Sequence, residues 1–223
     1  MHFQKNFVFV SQQMVYSKQT YTVHEKRLLA FLLHHQSSDN LFNVQKLNVS
    51  AWSAFIDILQ NGFVASRHAI FEGLLHKPVS FFNPFSSMLE EKILFKKATF
   101  EKGNLFLKLS PYAKDYFFSK DENSLGKFLL CDYVRLRSFY AQRLFELLMF
   151  YLSTNRTHFS ISLKDLRVIF NLEDKTLIFR SFRNDVLAAA YKQIRTHTSL
   201  TYEWQGISIS HKYVEIEFYN ISS

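Results

Sequence analysis

The chain has 223 residues, 48% of them hydrophobic and 21% charged, which is an ordinary globular composition with room for one large domain or two of roughly 100 residues. A net charge of +8 suits a polyanionic partner, because neutralised phosphates release counterions, and eight of the ten arginines, from Arg135 to Arg195, fall in the second half. The single cysteine, Cys131, excludes an internal disulfide and any multi-cysteine metal site, and is read as a small core residue in a protein of the reducing cytoplasm.

In chain order, MHFQKNFVFVSQQ lacks the long apolar core and cleavage site of a signal peptide. Thr22 to Glu25 (TVHE) has capping-box spacing and predicts a helix from Val23 to His35. SAWSAFIDILQNG predicts a second over Ala51 to Gln60, closed by Asn61 and Gly62. Ser66 caps a third, Arg67 to His76, which Pro78 prevents from extending. Two strands follow, Ile93 to Thr99 and Asn104 to Leu109, joined at Lys102 and Gly103. Ser110 and Pro111 open a short helix, and DENSLG at Asp121 to Gly126 has the composition of a domain boundary.

The second half repeats this plan. A helix from Arg137 to Leu152 carries Leu144, Leu148 and Leu152 on one stripe, and Ser162 and Asp165 have the spacing of a helix cap. The longest helix is predicted over Lys175 to Thr196, and strands Thr201 to Trp204 and Lys212 to Tyr219 finish the chain. Three helices and a hairpin, twice, predict an α+β, mainly α fold of two tandem winged-helix domains, residues 1–123 and 124–223.

At 100° per residue, Ile178, Phe182, Val186 and Ala189 form the buried stripe of the long helix, with Arg180, Arg183 and Asn184 opposite them. An apolar anchor behind long hydrogen-bond donors is what a helix needs to reach guanine O6 and N7 or adenine N6 and N7 in the major groove. Thr176 and Ser181 add contacts near its start, and His211 and Lys212 form a wing tip over phosphate. In the first half Ser66, Arg67 and His68 begin the matching helix, and Lys96, Lys97 and Lys102 mark its wing.

Signals for chemistry are missing. None of the five glycines forms a phosphate-cradling loop. His34 and His35 are adjacent and project about 100° apart, so they make no metal pair. No histidine–apolar–histidine strand of the nicking type occurs, and Glu90 with Glu91, or Glu173 with Asp174, are read as helix-terminal surface charges. No apolar run approaches the ~18 residues of a membrane span. The expectation is a cytoplasmic protein without enzymatic activity, cofactor or metal.

Several segments resemble the initiator Rep proteins of iteron-bearing, theta-replicating plasmids. They are YTVHEKRLLAFLL, NLFLKLSPYAKDYFF, SFYAQRLFELLMFY, ISLKDLRVIFNLED and FRSFRNDVLAAAYKQIRTHTSLTYEW, and their order carries more weight than any one of them. Ala189 stands where that family often has Pro, and Gln193 and Arg195 where it has Glu and Asn. The resemblance implies a protein that binds repeated double-stranded origin sites, helps to melt adjacent AT-rich DNA and recruits the host helicase and primase machinery. It further implies a monomer–dimer equilibrium in which the dimer represses its own promoter. The alternative is a winged-helix transcriptional regulator on a palindromic operator.

Overall fold

The computed structural model describes residues 7–34, 44–48, 67–83, 88–102, 104–117, 125–173 and 178–223. Strand β1 (Phe7–Ser11) runs directly into a short helix α1 (Gln12–Tyr16). Ser11 makes that junction: its Oγ accepts from Met14 N at 3.1 Å and donates to the Tyr116 carbonyl. After β2 (Lys18–Gln19), the capping box forms as its spacing requires. Thr22 N donates to Glu25 Oε2 at 2.7 Å, Glu25 N donates to Thr22 Oγ1 at 3.3 Å, and α2 (Val23–His34) follows. Every residue of α2 from Glu25 to Leu33 is buried, so this helix is the axis of the first unit and not a surface helix.

The predicted helix at Ala51 to Gln60 lies outside the described residues, as do Ser66 and Thr176. Strand β3 (Val44–Asn48) and helix α3 (Arg67–His76) stand on either side of that gap. Between Pro78 and the predicted hairpin, β4 (Val79–Asn83) pairs antiparallel with β5 (Met88–Lys92), two strands that the sequence pattern does not predict. Glu90 and Glu91 therefore sit on a strand and not at a helix end, and Glu90 pairs with Lys92 at 3.1 Å. Strand β6 (Phe95–Glu101) starts two residues later than expected, and β7 is Asn104–Leu109. The two small antiparallel sheets are ordered β2-β4-β5 and β3-β7-β6, and α4 (Pro111–Phe117) leaves the second.

Strand β8 (Leu125–Leu129) then returns to the beginning of the chain and pairs antiparallel with β1, from Phe7↔Leu129 to Ser11↔Leu125. Gly126 permits the approach, since a Cβ there would lie 2.8 Å from Val10 Cγ2 and 2.9 Å from Phe150 Cα. Helix α5 (Leu130–Arg135) follows at once, too short for a period to reveal it. It buries Leu130, Tyr133 and Val134 and turns Cys131 outward, so the expectation of a core cysteine is corrected. Helix α6 (Phe139–Ser153) is buried at every position from Ala141 to Leu148. It is followed by β9 (Phe159–Ser162) and α7 (Leu163–Ile169), where Ser162 Oγ accepts from Asp165 N at 3.0 Å. A long helix, α8, is built of Phe179–Ser181, a π-helical Phe182–Ala188 and Ala189–His197. The chain closes with β10 (Thr201–Ile209) and β11 (Lys212–Ser222) in a sheet ordered β10-β11-β9.

A buried ionic knot ties the beginning of the chain to α6. Arg143, with no exposure, donates through Nη2 to the carbonyls of Val15 and Ser17 at 2.7 Å, and through Nη1 to Glu146 Oε2 at 2.5 Å and Met14 O at 3.2 Å. Lys26 Nζ reaches Glu146 Oε1 at 2.7 Å and Gln19 Oε1 at 2.6 Å, and Tyr133 donates to Glu146 at 2.6 Å. Burial pushes the Lys26 ammonium down to about 8 against the pull of Glu146. Burial also works against ionisation of Glu146, but Lys26 and Arg143 outweigh it and hold the carboxyl below its ordinary value.

Candidate nucleic-acid interface

Helix α8 is seated on the core by Phe182, Val186, Leu187, Ala190 and Ile194, none more than 3% exposed. This is not the stripe that a uniform 100° turn predicts. Ile178 is 68% exposed, because it is an extended N-cap and has not yet entered the helix. Ala189 is exposed as well. The wider π turn adds about one residue to the helical repeat, so the buried positions after Val186 move one place along the chain, to Leu187 and Ala190.

The outer side of α8 presents Arg180, Arg183 and Asn184, all exposed, with Ser181 half-buried beside them. Arg183 Nε donates to Asn184 Oδ1 at 3.2 Å. Asp185, Ala188, Lys192 and Arg195 are exposed on the same helix. Arg180, Asn184, Ala188 and Lys192 stand four residues apart, a spacing that a π segment keeps close to one line. Ala188 and Lys192 follow at that spacing, whereas the exposure of Asp185 depends on the true helical register.

Next to the helix, β10 and β11 are joined by the two-residue turn Ser210–His211, with φ of 49° and 64°. Two left-handed residues are what a tight hairpin turn of primed type requires. His211 and Lys212 are exposed at its tip. Below the tip the outer sheet face is acidic rather than basic, since Glu203, Glu215 and Glu217 alternate along it. Glu217 accepts from Gln205 and pairs with His158 at 2.7 Å, contacts that hold its carboxyl below its ordinary value. On the inner face the Phe179 and Tyr213 rings stack at 3.7 Å and 14°, over Gly206.

In the first unit Lys96 and Lys97 are exposed on β6, and Lys102 is exposed in the turn with φ 48°. Lys108, not singled out from the sequence, is exposed directly across from Lys97 in the strand register. Arg67 and His68 are the first two residues of α3. The structure thus places Arg180, Ser181, Arg183 and Asn184 on one helix and His211 and Lys212 on the hairpin stacked against its first turn. Lys96, Lys97 and Lys102 share a separate hairpin. Among the described residues there is no group of three or more His, Cys, Asp or Glu placed to hold a metal, and no helix long and apolar enough to cross a membrane.

Two family models match the chain: "Initiator Replication protein, WH1" over residues 8–149 and "Initiator Rep protein, WH2" over residues 162–220. The chain belongs to the initiator replication protein family. This initiator accordingly consists of two tandem winged-helix domains. The first match takes in α6, whose Arg143 and Glu146 hold the N-terminal segment, and the second starts at the capping residue Ser162. Among solved structures the initiator is similar to the Pi initiator protein in complex with iteron DNA, with a TM-score of 0.71 and 17% identity over 96% of each chain. No curated protein sequence matches it.

Proposed function

We propose that this chain is a plasmid replication initiator that recognises repeated double-stranded origin sites by laying α8 in the major groove. Arg180, Arg183 and Asn184 would contact base edges, Thr176 and Ser181 the start of the site, and His211 and Lys212 the flanking phosphates. The observation that carries this reading is the pairing of an exposed Arg180, Arg183 and Asn184 face with a buried Phe182, Val186 and Leu187 face on one helix beside a cationic hairpin tip. Similarity in fold to the Pi initiator protein, which is in complex with iteron DNA, supports it.

The first unit, residues 1–123, supplies backbone contacts through Ser66, Arg67 and His68 and through Lys96, Lys97 and Lys102, together with the surface for a repressing dimer. The second, residues 124–223, reads sequence. The bound initiator opens adjacent AT-rich DNA and recruits the host helicase and primase, in the cytoplasm and without catalysis of its own.

Selection from a random duplex pool long enough for two half-sites tests the reading. One asymmetric site of about two helical turns, occupied by a monomer, is the expected result. An inverted repeat bound only by dimers would make the chain a transcriptional regulator instead.

A further inference from the structure

We propose that the Phe179–Tyr213 stack over Gly206 is a positioning element that sets the second wing at a fixed distance from the reading helix. Lys212 and His211 then meet the phosphates beside the groove that α8 occupies. The inference rests on the DNA-reading function proposed above and adds to it the device that couples its two kinds of contact.

The stack stands where the wing leaves its support. Strand β9 pairs with β11 only over Glu215 to Phe218, so Lys212, Tyr213 and Val214, with Ser208 and Ile209 opposite, continue as a two-stranded ribbon. Such a ribbon has little stability of its own, and the register also shifts between Ile207 and Ser208. Phe179 is the first residue of α8, and Tyr213 directly follows Lys212. Their rings, 3.7 Å apart and near parallel, join the helix start to the ribbon at that point.

Gly206 makes the approach possible. A Cβ at this position would lie 2.8 and 2.9 Å from Tyr213 ring carbons and 3.0 Å from Phe179 Cζ, so the strand backbone itself is the floor of the stack. Phe179 packs against the edge of the core while Tyr213 is 43% exposed, and the core beneath is closed by Ile216 and Phe218 at 0%. Placement of the wing also matters electrostatically. Below its cationic tip the outer face carries Glu203, Glu215 and Glu217, and a wing that swung over would turn carboxylates toward phosphate.

The test measures binding of the full chain to its selected site across a salt series, with wild type, Tyr213→Ala, Tyr213→Leu, Tyr213→Phe, Lys212→Ala and the Lys212→Ala/Tyr213→Ala double variant. Tyr213→Ala is expected to reduce the slope of log affinity against log salt by about one, as Lys212→Ala does. The double variant should lose no more than either single one, and Tyr213→Phe should restore the slope. Base preference at the groove positions should be unchanged throughout. Tyr213→Leu, which keeps apolar cover over Gly206 but not the flat stack, should behave as Tyr213→Ala and serves in its place if that variant does not fold. Wild-type slopes in both Tyr213→Ala and Tyr213→Leu, or additive losses in the double variant, overturn the positioning role while leaving DNA reading intact. A wild-type chain with no site preference overturns both.

Discussion

Arg183 is exposed, lies one residue from Asn184 and two from Asp185, and has no ion pair among the described residues. A forked donor distinguishes guanine from the other bases in the major groove, so on the proposed reading Arg183→Ala should cost about 1 to 3 kcal/mol and relax preference at one base position. Equal losses on specific and random duplex, measured by anisotropy, would reduce Arg183 to a phosphate contact. Lys212 is proposed for the other kind of contact, with phosphate. Lys212→Ala should weaken all sequences alike and lower the salt slope by about one unit, and an unchanged slope would remove Lys212 from the interface. Gly126 illustrates a residue acting through bulk alone. With Val10 Cγ2 and the Phe150 backbone under 3 Å from any added Cβ, Gly126→Ala should destabilise the fold by about 1 to 3 kcal/mol, visible as a lower urea midpoint with unchanged m.

The elements that were legible in the sequence are those whose ends carry their own chemistry. Ser162 both accepts from Asp165 N and donates to its carboxylate, and Ser162→Ala should cost about 1 kcal/mol of stability in urea titration. Thr22 with Glu25 at the start of α2, and Pro78 after α3, worked in the same way. Strand β11 showed itself by alternation, with Ile216 and Phe218 buried and Glu215 and Glu217 on the other face. Helices α1 and α5 did not, because five or six residues make fewer than two turns and no period can emerge. Of the stripe expected on α8, Phe182 and Val186 are buried, whereas Ile178 precedes the helix and is exposed. The π segment, Phe182–Ala188, places Leu187 and Ala190 inward and Ala189 outward, and a periodicity argument has no means of anticipating a change of pitch. The cross-strand position of Lys108 depended likewise on a register set by pairing rather than by composition.

At the scale of the whole molecule, the knot of Arg143, Glu146 and Lys26 holds two cations on one carboxylate, all without solvent. Glu146→Gln leaves both cations unneutralised and should cost about 3 to 5 kcal/mol, read as a lower midpoint of urea unfolding. Lys26 gives the knot a pH signature. Its ammonium titrates at about 8 when folded and near 10.5 when unfolded, so between those values the unfolded chain holds the extra proton. Stability contributed by this group therefore rises as pH climbs from 8 toward 10.5. Wild type should gain on Lys26→Met over the interval, and parallel curves for the two would exclude the effect. The pairing of β1 with β8 has a consequence for how the chain is made. Val10 waits for Gly126, and the carbonyls of Val15 and Ser17 wait for Arg143, so β1 is synthesised more than a hundred residues before its partner. Throughout that interval a nascent chain exposes an apolar, unpaired strand edge, and synthesis that stalls before β8 leaves a product with no means of covering it.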